Sequence, residues 1–241
     1  MRKKVIFIFF AVLVFLLITF GYSQAKIPIK SYEQDQISIN IYHDSLEMVD
    51  NNNVLIDRYL MEPWVIVDGC LYSDEKVILV IVGKEGEIRG ERLACYKYEG
   101  GKIQEKWIDN NRQMNPWKIL KCDVEGDGKA EVAVGVWKTA KFHPVFDNRL
   151  FIYAWEKGMI YPKWLGSRLS SPFVDFDFRD MNHDGILELI ALEYQKDGLK
   201  RVMAYEWTGF GFRGIAILGK NLSINSISEF CSEGRDFNEI Q

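Results

Sequence analysis

Asp123-Val-Glu125-Gly-Asp127-Gly-Lys-Ala-Glu131 and Asp180-Met-Asn182-His-Asp184-Gly-Ile-Leu-Glu188 agree position for position and begin 57 residues apart. Oxygen-bearing side chains stand at positions 1, 3, 5 and 9 of each, with glycine at position 6. That spacing lets a short loop wrap hard oxygen donors around Ca²⁺, the glycine supplying a tight turn that a Cβ would obstruct. An EF-hand has its bidentate Glu at position 12; here the acid stands at 9, and no helical pattern flanks either loop. Each loop runs instead into an apolar stretch of strand type, Val132-Ala-Val-Gly-Val136 and Leu189-Ile-Ala-Leu192. Calcium loops between β-strands are the first reading. The alternative is an acidic β-turn without metal, because turns use Asp, Asn and Gly in any case. Two copies on one register favour the ion.

The repeat extends outward from the loops. Arg92-Leu-Ala-Cys-Tyr96-Lys-Tyr98 matches Arg149-Leu-Phe-Ile-Tyr153-Ala-Trp155, again 57 apart, and Arg201-Val-Met-Ala-Tyr205-Glu-Trp207 follows 52 later. Behind the first two stand Gly101-Lys-Ile103-Gln-Glu-Lys-Trp107 and Gly158-Met-Ile160-Tyr-Pro-Lys-Trp164. A period of this length, built of short strands and turns, marks a repeat architecture, and four strands per unit fit a propeller blade. The repeats run over about 64–116, 117–172 and 173–220. The first is degenerate: Asp68 alone keeps its acid, and Cys70, Tyr72 and Lys76 fill the other ligand positions, so no metal is expected there.

Residues 231–240 align with 123–132 while losing both key Asp residues. Stretches 37–42 and 53–59 read as two strands without an acidic loop. Three complete units are too few to close a ring, and a propeller needs its edges protected. The expectation is therefore an all-β fold, a small β-propeller of about four blades. One composite blade, from about 37–60 plus 224–241, is closed by N- and C-terminal strands, with 224–230 as a strand.

The chain has 241 residues, 48% hydrophobic and 14% aromatic, with a formal charge of −4. Setting aside Arg2, Lys3 and Lys4 leaves 27 basic against 34 acidic residues, a charge of −7. Nothing in that balance supports nucleic-acid binding. Residues 1–25 read as a targeting segment, with a basic start, an apolar run over 5–20 and small residues at Ser23 and Ala25. It is either a cleaved signal peptide or a retained membrane anchor. Both place residues 26–241 outside the cytoplasm, where millimolar Ca²⁺ suits weak loops. Cys70, Cys95, Cys122 and Cys231 permit two disulfides but match no metal motif, and their pairing stays open.

The two loops, with Tyr205-x-Trp207-x-Gly209-x-Gly211-Phe212, resemble the FG-GAP or VCBS class of calcium-binding propeller repeat, known from integrin α-subunits. The resemblance covers about residues 64–220. It implies Ca²⁺ held by Asp123, Glu125, Asp127 and Glu131 in one loop. Asp180, Asn182, Asp184 and Glu188 would hold it in the other, with the carbonyls of Lys129 and Ile186 as further ligands. Glu125 at position 3 and Glu rather than Asp at position 9 depart from the integrin pattern. Charge count favours the first loop as the tighter site.

The opposite face of the repeats carries the connections over 138–148 and 165–172. There His143, Asp147 and Arg168 are the candidate binding residues, because functional groups favour loops on a rigid scaffold. A solvated loop with Phe142 and Phe146 tucked against the rim is the alternative. His183, inside an acidic loop at a non-ligand position, is expected to be exposed. The functional expectation is an exported, calcium-stabilised binding or scaffold module for an extracellular protein or glycan. The alternative is a carbohydrate-active enzyme using the face around His143.

Overall fold

The computed structural model describes residues 26–232, except 74, 112 and 167; residues 1–25, where a targeting segment is expected, and 233–241 lie outside the described set. Four antiparallel sheets of four strands follow one another along the chain, each ordered as in sequence. The first holds β1 (Lys30–Gln34), β2 (Ile37–Ile41), β3 (Ser45–Asp50) and β4 (Leu55–Leu60). The second holds β5 (Val65–Ser73), β6 (Val77–Gly83), β7 (Arg92–Glu99) and β8 (Lys102–Ile108). In the third are β9 (Pro116–Cys122), β10 (Glu131–Ala140), β11 (His143–Glu156) and β12 (Met159–Leu165). The fourth has β13 (Phe173–Arg179), β14 (Glu188–Tyr194), β15 (Lys200–Trp207) and β16 (Phe212–Leu222), and a short helix α1 (Ile227–Ser232) follows.

Strand alternation sets how the sheets stack. In β6 every residue is buried: Ile78, Val80 and Val82 join the core shared with the first sheet, and Val77, Leu79 and Ile81 the core shared with the third. The two-residue period of a strand thus feeds two cores from one element. In β10, Val132, Val134 and Val136 face the second sheet and Ala133 faces the fourth. Small residues are needed on that second side: a Cβ on Gly135 would lie 2.7 Å from Trp117 and 2.8 Å from Phe176. Ion pairs tie the first strands of neighbouring sheets, Lys30 to Asp68 at 2.8 Å and Lys118 to Asp175 at 2.6 Å. The fold is all-β and propeller-like.

Among the described residues the composite blade does not form. Residues 30–60 build a complete sheet by themselves. The stretch expected as a closing strand, 224–230, ends in α1 instead. Its start carries a capping arrangement that outcompetes the strand: Ser226 Oγ accepts the Glu229 N–H at 3.1 Å, and the Glu229 carboxylate accepts the Asn225 N–H at 2.8 Å. Ile227 and Phe230 of α1 then cover Ile190, Leu192, Val202 and Ala204 on the outer face of the fourth sheet. Among the described residues no core cluster joins the first and fourth sheets. The outer face of the first sheet carries buried Glu47, held by Arg58 at 2.9 Å, beside the exposed Leu60. The register of the C-terminal repeat start nevertheless persists. Ile227 donates its N–H to Asp175 at 2.7 Å, as Ile119 donates to Asp68 at 2.9 Å.

Candidate metal centre

The two acidic loops join β9 to β10 and β13 to β14, and their sequence match is also a match in backbone. Position 4 is left-handed in both, at Gly126 (φ 68°) and His183 (φ 60°), and so is position 6, at Gly128 (φ 78°) and Gly185 (φ 87°). His183 is exposed, as expected. Three hydrogen bonds recur. The carboxylate at position 1 accepts the N–H of position 6, at 2.9 Å for Asp123 and 3.0 Å for Asp180. Position 5 accepts from position 7, at 2.9 Å for Asp127 and 2.8 Å for Asp184. Position 9 accepts from position 2, Val124 to Glu131 at 3.0 Å and Met181 to Glu188 at 2.8 Å. Bonds of this kind, from a short acidic side chain to nearby main chain, fold a loop without help from outside it.

The loops also touch each other. Leu187 donates its N–H to the Asp123 carbonyl at 3.4 Å. Ile186 packs over Gly126, where a Cβ would come within 2.5 Å of it. On the other side, Tyr72 of the degenerate first unit donates its hydroxyl to the Ala130 carbonyl at 2.6 Å. A residue standing where a ligand would be is there an interblade strut.

Charge separates the two loops. Lys163, on β12, places its ammonium 2.7 Å from Glu125 and 2.5 Å from Glu131, beside a cavity of about 390 Å³ that both carboxylates line. Burial alone would lower the Lys163 pKa, but the hydrogen bonds to Glu125 and Glu131 outweigh it and hold the pKa above lysine's ordinary value. The main-chain N–H of Lys129 keeps the Asp127 carboxyl below its usual range, and the Lys129 side chain adds to that. In loop 180–188 no basic side chain lies within ion-pairing distance of Asp180, Asp184 or Glu188 among the described residues. Yet Glu188 is only 5% exposed, close to the 3% of Glu131. A carboxylate removed from water needs hydrogen bonds and a compensating charge to offset the cost; Glu188 has the Met181 N–H, but no basic side chain pairs with it among the described residues.

Among the described residues no three carboxylate, imidazole or thiol groups gather at one point. Of the two donor sets, loop 123–131 does not fit an added cation, because Lys163 stands between positions 3 and 9. Loop 180–188 fits one. Its donors are all hard oxygens, no basic side chain among the described residues pairs with them, and its bonded carboxylate oxygens keep lone pairs to offer.

The connection over 138–148 is a hairpin rather than a loop: Lys138 pairs with Asp147 and Ala140 with His143 across an extension of β10 and β11. Phe142 and Phe146 are not tucked in; they are 86% and 58% exposed, with Val145 beside them. Arg149, fully buried, pins the hairpin. Its guanidinium donates to the Lys138 and Val145 carbonyls at 3.2 and 2.7 Å and meets His143 Nδ1 at 2.8 Å. Because arginine only donates, that contact makes Nδ1 the acceptor and leaves the imidazole proton on Nε2. Burial lowers the Arg149 pKa, with Arg168 adding to that effect and Asp147 opposing it; of the three candidate binding residues, His143 touches this arginine. Arg168 is exposed, whereas His143 belongs to the support of the hairpin.

Cys70, Cys95 and Cys122 are buried free thiols. Burial pushes the first two up to about 12 and the third well above a thiol's usual value, so they act as small apolar groups.

No protein-family model matches this sequence, and no curated protein matches it. Among solved structures, one described as a candidate 6-phosphogluconolactonase from Bacteroides uniformis superimposes with a TM-score of 0.52 at 9% identity, over 82% of this chain. This chain spans 58% of that protein's length. At such identity the likeness extends to the propeller-like fold alone. The N-terminal domain of Nup159 aligns over 73% of this chain and 59% of its own at 5% identity, with a TM-score of 0.29, too loose to support an argument.

Proposed function

We propose that this chain is an extracytoplasmic binding or scaffold module of FG-GAP/VCBS type, stabilised by one Ca²⁺ held in loop 180–188. The observation that carries the reading is the buried Glu188 carboxylate, which among the described residues lacks the basic partner its counterpart Glu131 has in Lys163. Asp180, Asn182, Asp184 and Glu188, with the Ile186 carbonyl, would hold the ion, and its charge would offset theirs. An affinity on the order of 10⁻⁴ M fits an extracellular module. The basic and apolar residues of 1–20 support export, with a membrane tether through 5–20 if that segment is retained.

Binding is assigned to the face opposite the acidic loops. A cavity of about 680 Å³ opens there, lined by Lys84, Glu91, Asn115 and Trp137, with Arg89 stacked on Trp137 at 4.5 Å. The exposed Phe142 and Phe146 stand on the hairpin that continues from Trp137. Aromatic and arginine side chains at a cavity suit an extracellular protein or glycan ligand. The test is a glycan array paired with hydrolysis assays, using wild type and Trp137→Ala. Binding lost in the variant, with no product released, supports the module. Turnover of a bound glycan would favour the carbohydrate-active alternative.

A further inference from the structure

We infer that Lys163 is a built-in substitute for the cation of loop 123–131, so that one residue two strands away decides which of two matching loops takes an ion. The inference rests on the Ca²⁺ reading of loop 180–188 given above. Placement carries it first. The Lys163 ammonium bridges Glu125 and Glu131, the third and ninth positions of the loop, at 2.7 and 2.5 Å. A compact charge on a flexible stem consumes two of the four donors and repels a divalent ion from the others.

The path of the side chain is equally specific. Lys163 lies two strands away from Glu131, and the strand between them presents Ala154, which pairs with Glu131 on one side and Tyr161 on the other. A methyl group there leaves the lysine stem room to cross. Lys163 itself occupies a β-bulge, since Ile152 pairs with Trp164 and Tyr153 with Pro162. The bulge re-aims a side chain in just this way.

The fourth sheet repeats the geometry without the charge. Ala204 pairs with Ala216 and Tyr205 with Gly214, which puts Ile215 at the same bulge position. One step beyond the Leu189 and Tyr205 pair, the register sets Glu206 opposite Glu188 where the third sheet has Ala154. Arg213 is paired with that Glu206. Loop 123–131 thus carries its counter-charge covalently, and loop 180–188 takes its own from solution.

The test is equilibrium dialysis of radioactive calcium against the full chain as wild type, Lys163→Met and Lys163→Arg. Lys163→Met is expected to bind one ion more than wild type, and Lys163→Arg the same number as wild type. A Met variant with no added ion, or an Arg variant that gains one, overturns the inference. Wild type binding none while the Met variant binds one would overturn the reading of loop 180–188 and leave Lys163 in its role. Wild type binding two would do the reverse. Should Lys163→Met unfold in chelator, recovery of its melting transition on adding calcium is the same positive result. A Met variant that calcium cannot recover overturns the inference.

Discussion

Loops 123–131 and 180–188 share two left-handed positions, three internal hydrogen bonds and a buried carboxylate at position 9. They differ in what reaches them from two strands away: an ammonium in the third sheet, an isoleucine position in the fourth. Matching loop residues therefore define a common turn but not a common charge environment. The ligand spacing has two separable uses, folding the loop through main-chain N–H groups and gathering charge for a cation. Loop 123–131 keeps the first use and meets the second internally.

The largest effect should come from breaking the lysine pair. Glu131→Ala leaves a partly buried Lys163 without its closest carboxylate and removes the acceptor for Val124. It should cost about 3 kcal/mol, read by urea unfolding, equally with calcium or chelator. Glu188→Ala should cost more stability with calcium than in chelator, where it removes a buried carboxylate with no basic partner among the described residues and loses the acceptor for the Met181 N–H. Equal calcium dependence of the two variants would erase the difference between the loops.

Calcium itself comes next. At 100 times its dissociation constant an ion bound only to the folded state contributes about 2.7 kcal/mol. For a chain of this size that raises the melting temperature by about 5–10 °C, and the rise should vanish in Asp184→Ala but persist in Asp127→Ala. A rise abolished by Asp127→Ala would place the ion in the other loop.

Smaller effects should follow at position 4. Gly126→Ala puts a Cβ on a left-handed residue beneath Ile186, costing about 1–2 kcal/mol from the backbone term alone. His183→Gly relieves the same backbone at the equivalent site and should gain up to about 1 kcal/mol. Thermal melts of both variants check the pair; a stabilising Gly126→Ala would contradict the interloop packing.

Much of this was legible in the sequence. The repeat at Arg92, Arg149 and Arg201 located the third strand of three sheets, and the acidic loops marked where first strands end. The role of Arg149 was not legible, because a buried guanidinium beneath a hairpin is visible only once Lys138, His143 and Val145 are brought around it. The helix over 227–232 had a signal, Ser226-x-x-Glu229, masked by an apolar run that also suits a strand. The first sheet gave two of its four strands away; Lys30–Gln34 is too polar to read as one, and its pairing with Ile37–Ile41 supplies what its composition does not. Lys163 stood in plain alignment with Lys106 before a repeated Trp, but the reach of a side chain across a strand depends on the bulge and on Ala154, which no local pattern encodes.

The most direct measurement is the number of calcium ions bound by the wild-type chain and by its two position-5 variants, determined by equilibrium dialysis. One ion in wild type, one in Asp127→Ala and none in Asp184→Ala is the predicted result. Two ions in wild type, or loss of the ion in Asp127→Ala with retention in Asp184→Ala, would contradict the assignment of the ion to loop 180–188 alone.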